Sequence, residues 1–368
     1  MPEIADRALT TARLMVPLAL ANGVAVSSLY WGQAVVLRAG EEFGPSQAVS
    51  LMPGATLAGY AAGVAVLATL AGDLTGPRGM GRHFLLLALA SCAAAASPTP
   101  VVLTFSCLVL GVGCALTQRL LATATSAVRP EHRARTIGWI IASGLLGIVI
   151  ARSCVPAVAG WLGWRAVFWA DAALASATGC AATSIATRAY RRSTASRVLP
   201  LPRAAALWRG QATLRRAALQ QATVFAAFNM GWAIFPRVIE PIGVSPALSM
   251  AGVALLGATA ALMAGRLCGS LGSPAVARAG VIAVGAATLT LILGLRIPPA
   301  CYLGMALLDT GTQAALVANQ ARAQALASSP AMRGRLAAIV TTVGFIGGAV
   351  GSALGNLLAS QLLAAAGH

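Results

Sequence analysis

The chain has 368 residues, 58% hydrophobic and only 10% charged. A soluble domain carries about 25% charged residues, so this composition excludes an ordinary soluble enzyme and describes a polytopic membrane protein. All 26 basic residues are Arg, against nine acids, and the formal net charge is +17. Elsewhere that balance would suit nucleic acid, but here the arginines gather in short loops between apolar runs, the positive-inside pattern of membrane proteins.

A spanning helix needs roughly 20 apolar residues. Eleven candidates follow in order, at 14–38, 47–71, 82–97, 100–128, 135–159, 163–188, 214–236, 245–267, 276–295, 299–325 and 335–362. The first apolar run is too long for the core of a cleaved signal peptide and reads as a span. With the N-terminus inside, 20 arginines fall on inner segments. The outer ends hold four, Arg38, Arg165, Arg237 and Arg296, together with Glu41, Glu42 and Glu240. This bias predicts a cytoplasmic N-terminus in a cell membrane, the bacterial inner membrane. Residues 190–212 form the longest polar segment, which contains no acid. They are expected to join an N-terminal six-helix unit (1–189) to a C-terminal unit of about five helices (213–368) as a basic cytoplasmic linker. Its arginines suit anionic lipid headgroups, either as a plain charged connection or as a regulatory one.

The stretch from Arg129 to Gly160 has a second copy 200 residues downstream. Pro130, Arg133, Arg135, Gly144 and Gly147 meet Pro330, Arg333, Arg335, Gly344 and Gly347. Repetition of a hydrophobic helix with its basic turn is how many transporters display two related halves, the competing reading being two unrelated helices with ordinary basic loops. Glycine spacings in both copies, such as Gly144/Gly147 and Gly347/Gly351, permit close backbone approach, either for static packing or for sliding.

Ionisable groups inside a bilayer are costly and point to function. Asp309 lies about ten residues, roughly 15 Å, into the tenth span. Burial favours its neutral form, and a proton-coupling role is expected beside the alternatives of a structural hydrogen bond or a counter-ion. Arg152, in the outer half of the fifth span, cannot deprotonate and needs an acid, carbonyls, water or an anionic group nearby. Arg119 is placed where it can snorkel, and Asp171 reads as a local interaction. Tyr30, Gln33, Gln118, Asn229, Trp232, Gln313, Asn319 and Gln320 add the amides and aromatics that suit a partly polar organic solute. Asp309, Gln313 and Gln320 share one helical face. For any one amide, interhelical hydrogen bonding, worth about 0.6 kcal/mol, is the plainer role.

The seven cysteines stand singly, without CxxC or His partners, so no metal site, disulfide framework or cofactor is expected. No GxxxxGK[ST] motif is present to bind ATP, and three dispersed histidines without HExxH or paired carboxylates argue against a membrane enzyme.

Several segments together resemble the major facilitator superfamily, in particular its bacterial sugar- and drug-efflux permeases. They are SSLYWGQAV, AGDLTGPRGMGRH, RPEHRAR, IASGLLGIVIARS, GWLGWRAVFW, ALLDTGTQAALVANQARAQAL and SPAMRGR. The resemblance implies an all-α integral membrane protein of two helical bundles. It also implies a secondary transporter that exchanges small organic solutes for protons, with a central cavity lined by the residues above. Asp73, Arg78, Arg82, Arg133, Arg135, Arg333 and Arg335 fall where that family carries its cytoplasmic gate. The chain departs from the pattern at Leu74, where an Arg usually follows Asp73. A second departure is the absence of a membrane Arg near Cys107, and a third is the end at AAAGH, where a twelfth helix would begin. These departures keep a transport-inactive relative as the competing expectation.

Overall fold

The computed structural model describes residues 2–44, 46–69, 77–117, 120, 133–192, 204–239, 246–294, 297–328 and 330–365. Among them are twelve α-helices, in order α1 Pro2–Phe43, α2 Gln47–Thr69, α3 Pro77–Ala95, α4 Pro100–Cys114, α5 Arg133–Leu162 and α6 Trp164–Arg192. After them come α7 Ala204–Gly210, α8 Ala212–Ile239, α9 Pro246–Ser270, α10 Ser273–Gly294, α11 Pro298–Gln324 and α12 Pro330–Ala365. An all-helical architecture follows from composition, because backbone polar groups in hydrocarbon must find their partners within the segment.

Each predicted span falls on a helix, although part of the 100–128 run lies outside the described residues. Six of these helices are long and apolar enough, by length and composition, to cross a membrane: α1, α2, α5, α9, α10 and α12. Local chemistry fixes many ends. Pro opens α1, α3, α4, α9, α11 and α12, where its missing N–H costs no helical hydrogen bond. Gly163 and Gly272, with φ of 83° and 82°, turn the chain out of α5 and α9 in a conformation that glycine tolerates best. Of the linker, α7 is described. It docks on the start of α8, where Arg215 Nη1 donates to Trp208 O at 2.9 Å and Arg209 O at 2.6 Å.

The two halves are packed alike. In the first, α1 lies on α5, α2 on α4, and α3 on α4 and α6; in the second, α8 lies on α12, α9 on α11, and α10 on α11. The repeated glycines do the same work in each. A Cβ on Gly147 of α5 would fall on the Gly23 carbonyl of α1, and one on Gly347 of α12 would fall on the Ala222 carbonyl of α8. Gly351 repeats the contact one turn on, against Ala226. These seams lie inside each half, so the glycines hold helices of one bundle together.

Between the halves, α2 meets α12 and α5 meets α9. Along the first interface a Cβ on Gly54 would sit 2.9 Å from the Ala349 carbonyl. Six residues further along α2, the Tyr60 and Phe345 rings lie 4.4 Å apart at 49°.

Gly347→Ala has no room for its methyl group and should cost about 1–3 kcal/mol through overpacking. Gly285→Ala, with nothing within 4 Å of the added carbon, should be neutral or gain up to about 1 kcal/mol of helix propensity. Thermal unfolding of the purified variants checks this, and equal midpoints for the two would contradict the seam.

Candidate functional site

Asp309 is the twelfth residue of α11 and Arg152 the twentieth of α5. Counted from Pro298 and Leu162, the helix ends on the predicted outer side, both are about ten residues deep, roughly 15 Å. They face one another across the boundary between the halves. Arg152 Nη1 lies 3.4 Å from Asp309 Oδ1, with the two side chains 4% and 2% exposed.

The surroundings are aromatic. Trp232 of α8 donates its Nε1–H to the same Oδ1 at 3.3 Å. Its ring also lies under the guanidinium, with the central carbon 3.6 Å from the ring centroid; Phe228 and Tyr30 complete the wall at 5.0 and 5.3 Å. Face-on contact with aromatic rings stabilises a desolvated cation by about 2 kcal/mol or more. Gly257 of α9 gives the carboxylate its place, because a Cβ there would collide with Asp309 Oδ2. Thus α1 and α5 of the first half meet α8, α9 and α11 of the second around one ion pair.

The other expected residues divide into three groups. Gln33 stands one turn from Tyr30 on the same face of α1, and its Nε2 is buried without a partner among the described residues. Asn229, Asn319 and Gln320 are instead engaged in helix contacts. Asn229 donates to Phe225 O at 2.9 Å, Asn319 to Gln221 Oε1 at 3.2 Å and Gln320 Nε2 to Thr341 Oγ1 at 3.0 Å. Gln313 is half-buried on α11. Gln118, Arg119 and Asp73 lie outside the described residues, as do the side chains of Arg78, Arg133 and Arg135. Of the remaining gate residues, Arg82 and Arg333 are exposed and Arg335 is half-buried.

Asp171 has the local role expected of it. It is fully buried and accepts from Ser28 of α1 at 2.6 Å and Ser91 of α3 at 2.7 Å, tying three helices of the first half. Sequence reasoning missed Phe228 and Gly257, and it missed that Arg152 and Asp309 are partners. The available signal was their equal depth, since two opposite charges at one level of a bilayer stand best together.

A family model described as Major Facilitator Superfamily matches residues 18–352. The chain belongs to the major facilitator superfamily. Its members are transporters rather than enzymes. A Streptomyces coelicolor protein named as a transporter, SCO4007, is 27% identical over 351 residues, 93% of this chain and 81% of its own. The transporter YgaY of Escherichia coli O157:H7 is 30% identical over 163 residues, 44% of this chain. The match spans 41% of that relative's length.

Among solved structures, a bacterial homologue of the human lysosomal transporter Spinster, in an inward-facing and unoccupied conformation, superposes with a TM-score of 0.71. The identity is 17%, over 96% of this chain and 84% of that one. The nucleoside transporter NupG gives 0.69 at 12% identity, over 95% and 91%. A D-xylose–proton symporter gives 0.65 at 14% identity, over 94% and 89%. At these identities the likeness establishes a shared fold, that of an integral membrane transporter.

A buried pair is costly to break and cheap to replace. Asp309→Leu, which strands Arg152, should lose about 3–5 kcal/mol, while Arg152→Met with Asp309→Leu should recover most of that loss. Unfolding midpoints of the single and double variants test the pairing; additive losses would contradict it.

Proposed function

We propose that the protein is a secondary active transporter that exports small organic solutes, such as sugars or drugs, in exchange for protons across the bacterial inner membrane. The observation that carries this reading is the Arg152–Asp309 pair, because it is at once a bond between the two halves and a site where a proton changes the charge. Ionised, Asp309 holds Arg152 and keeps the halves together at that level. Protonated, it loses its charge, and the pair no longer opposes separation.

Two of the described contacts between the halves agree with closure on the predicted outer side, while the Tyr60–Phe345 ring contact lies nearer mid-helix. Gly54 and Ala349 approach each other nearer the outer ends of α2 and α12, and the ion pair lies about 15 Å from the outer ends of α5 and α11. The fold likeness to an inward-facing transporter supports the same state. Opening toward the outer side then requires the pair to part. A difference of a few kcal/mol between the two states is enough for a proton to move the balance. The exposed Arg82 and Arg333 suit gate contacts on the inner face that form when the cavity turns outward.

The test uses the purified chain in proteoliposomes with an imposed pH gradient and a panel of sugars and drug-like solutes. The wild type should accumulate its solute only when the gradient is present. Asp309→Asn keeps the shape of the side chain but cannot titrate. It should retain solute exchange and lose gradient-driven accumulation by at least about tenfold, the equivalent of 1.4 kcal/mol of coupling. Asp309→Glu should retain part of it. Continued accumulation by Asp309→Asn would place coupling elsewhere, and a wild type that moves no solute would favour the transport-inactive reading.

A further inference from the structure

We infer that the central site takes an organic anion, a solute whose carboxylate or phosphate docks on the free edge of Arg152. The inference rests on the transporter reading for its biological meaning, but its evidence is separate. A guanidinium has five N–H donors in one plane. In Arg152 only Nη1 has an acceptor, Asp309 Oδ1, at 3.4 Å. Nε and Nη2 are both buried, and no described protein atom accepts from either. These two nitrogens form one side of the planar fork, whose parallel N–H groups match the two oxygens of a carboxylate or phosphate.

The orientation is held in place. Trp232 covers one face of the guanidinium at 3.6 Å, so the side chain is fixed by its face and its edges remain for hydrogen bonds. Among the described residues, no carboxylate is left to serve the free edge. Asp309 is engaged at Nη1, Asp171 is taken by Ser28 and Ser91, and Glu41 and Glu42 pair with Arg38 and Arg165 near the outer surface. The other acids of the sequence lie near the predicted span ends or in the connections between spans.

Among the buried unmatched groups, Thr312 Oγ1, one turn from Asp309 on α11, can donate or accept, and the amide nitrogen of Gln33 can only donate. Gln33 Nε2, one turn from Tyr30 on the same face of α1, is a further buried donor without an acceptor. A site with surplus donors calls for a ligand rich in acceptors. An organic cation would meet the Arg152 charge unfavourably, and a neutral hydroxyl offers a single acceptor oxygen where the fork presents two parallel donors. Tyr30, Phe228 and Trp232 supply an apolar aromatic wall for the body of the solute. Capture of the anion at the free edge would also share the Arg152 charge with Asp309, so solute and proton would act on the same interhalf contact.

Four probes of one size separate the possibilities: benzoate, phenyl phosphate, benzamide and benzylamine. Each is titrated against the purified full chain, followed by the unfolding midpoint and by tryptophan fluorescence. Benzoate or phenyl phosphate should give a saturable stabilisation that benzamide and benzylamine do not. Arg152→Lys keeps the charge without the fork and should weaken the anion at least tenfold. If that variant does not fold, Gln33→Ala should weaken it several-fold. Stabilisation by the amide or the amine to the same degree would overturn the inference. So would unaltered anion binding in Arg152→Lys, or no response to either anion. Anion binding without gradient-driven transport would sink the transporter reading and leave this site standing. Proton-driven transport of neutral solutes without anion binding would do the reverse.

Discussion

A guanidinium and a carboxylate in the middle of a bilayer must satisfy each other, and the rest of this structure is arranged around that need. An isolated charge at such depth is costly, and the cost is met only if partners surround both ions. Arg152 brings α5, Asp309 brings α11, Trp232 and Phe228 bring α8, Tyr30 brings α1, and Gly257 lets α9 close against the carboxylate. The pair therefore joins two bundles through one neutralisable bond. Its geometry is modest, a single contact of 3.4 Å rather than a two-bond fork. On the proposed function, such a contact would bias a two-state equilibrium and stay open to competition.

The two kinds of helix contact have different chemistry. Within each half, glycine and alanine bring backbones together, as at Gly147 on Gly23 and Gly347 on Ala222. Asp171 adds a fully partnered polar knot between α1, α3 and α6. The glycine seams carry no charge, and Asp171 is held by two hydroxyls of its own half. Between the halves lie the ion pair and the Tyr60–Phe345 ring contact, beside the close approach at Gly54. The repeat is accordingly unequal at its centre. The residue 200 positions after Arg152 is Ser352, and the one 200 before Asp309 is Val109, so the scaffold is doubled while each charge occurs once.

Much of the scaffold was legible in the sequence because it depends on local rules. Prolines at helix starts, glycines at turns and apolar runs of sufficient length mark the elements, and the 200-residue offset exposes the related halves. The site was legible only as a set of residue types. Arg152 and Asp309 are 157 residues apart, and nothing local to either shows that they face one another. The amides show the same limit. Asn319 and Gln320 share helix α11 with Asp309, yet they bond to Gln221 and Thr341. An amide looks the same in sequence whether a solute or a neighbouring helix receives its hydrogen bond. Gly257 was silent because its role is an absence of side chain beside a carboxylate on another helix.

On the proposed function, the charge on Asp309 holds the two halves together. This is tested most directly by measuring the distance between them. Spin labels on Trp161→Cys and Ile297→Cys, in a background without the seven native cysteines, report from the ends of α5 and α11 nearest the pair. Both positions are accessible, at 86% and 49% exposure. With Asp309 intact and ionised, the account predicts a distance distribution dominated by the short, closed population. Asp309→Asn should transfer a large fraction of it to longer distances. Identical distributions with and without the carboxylate would contradict the account.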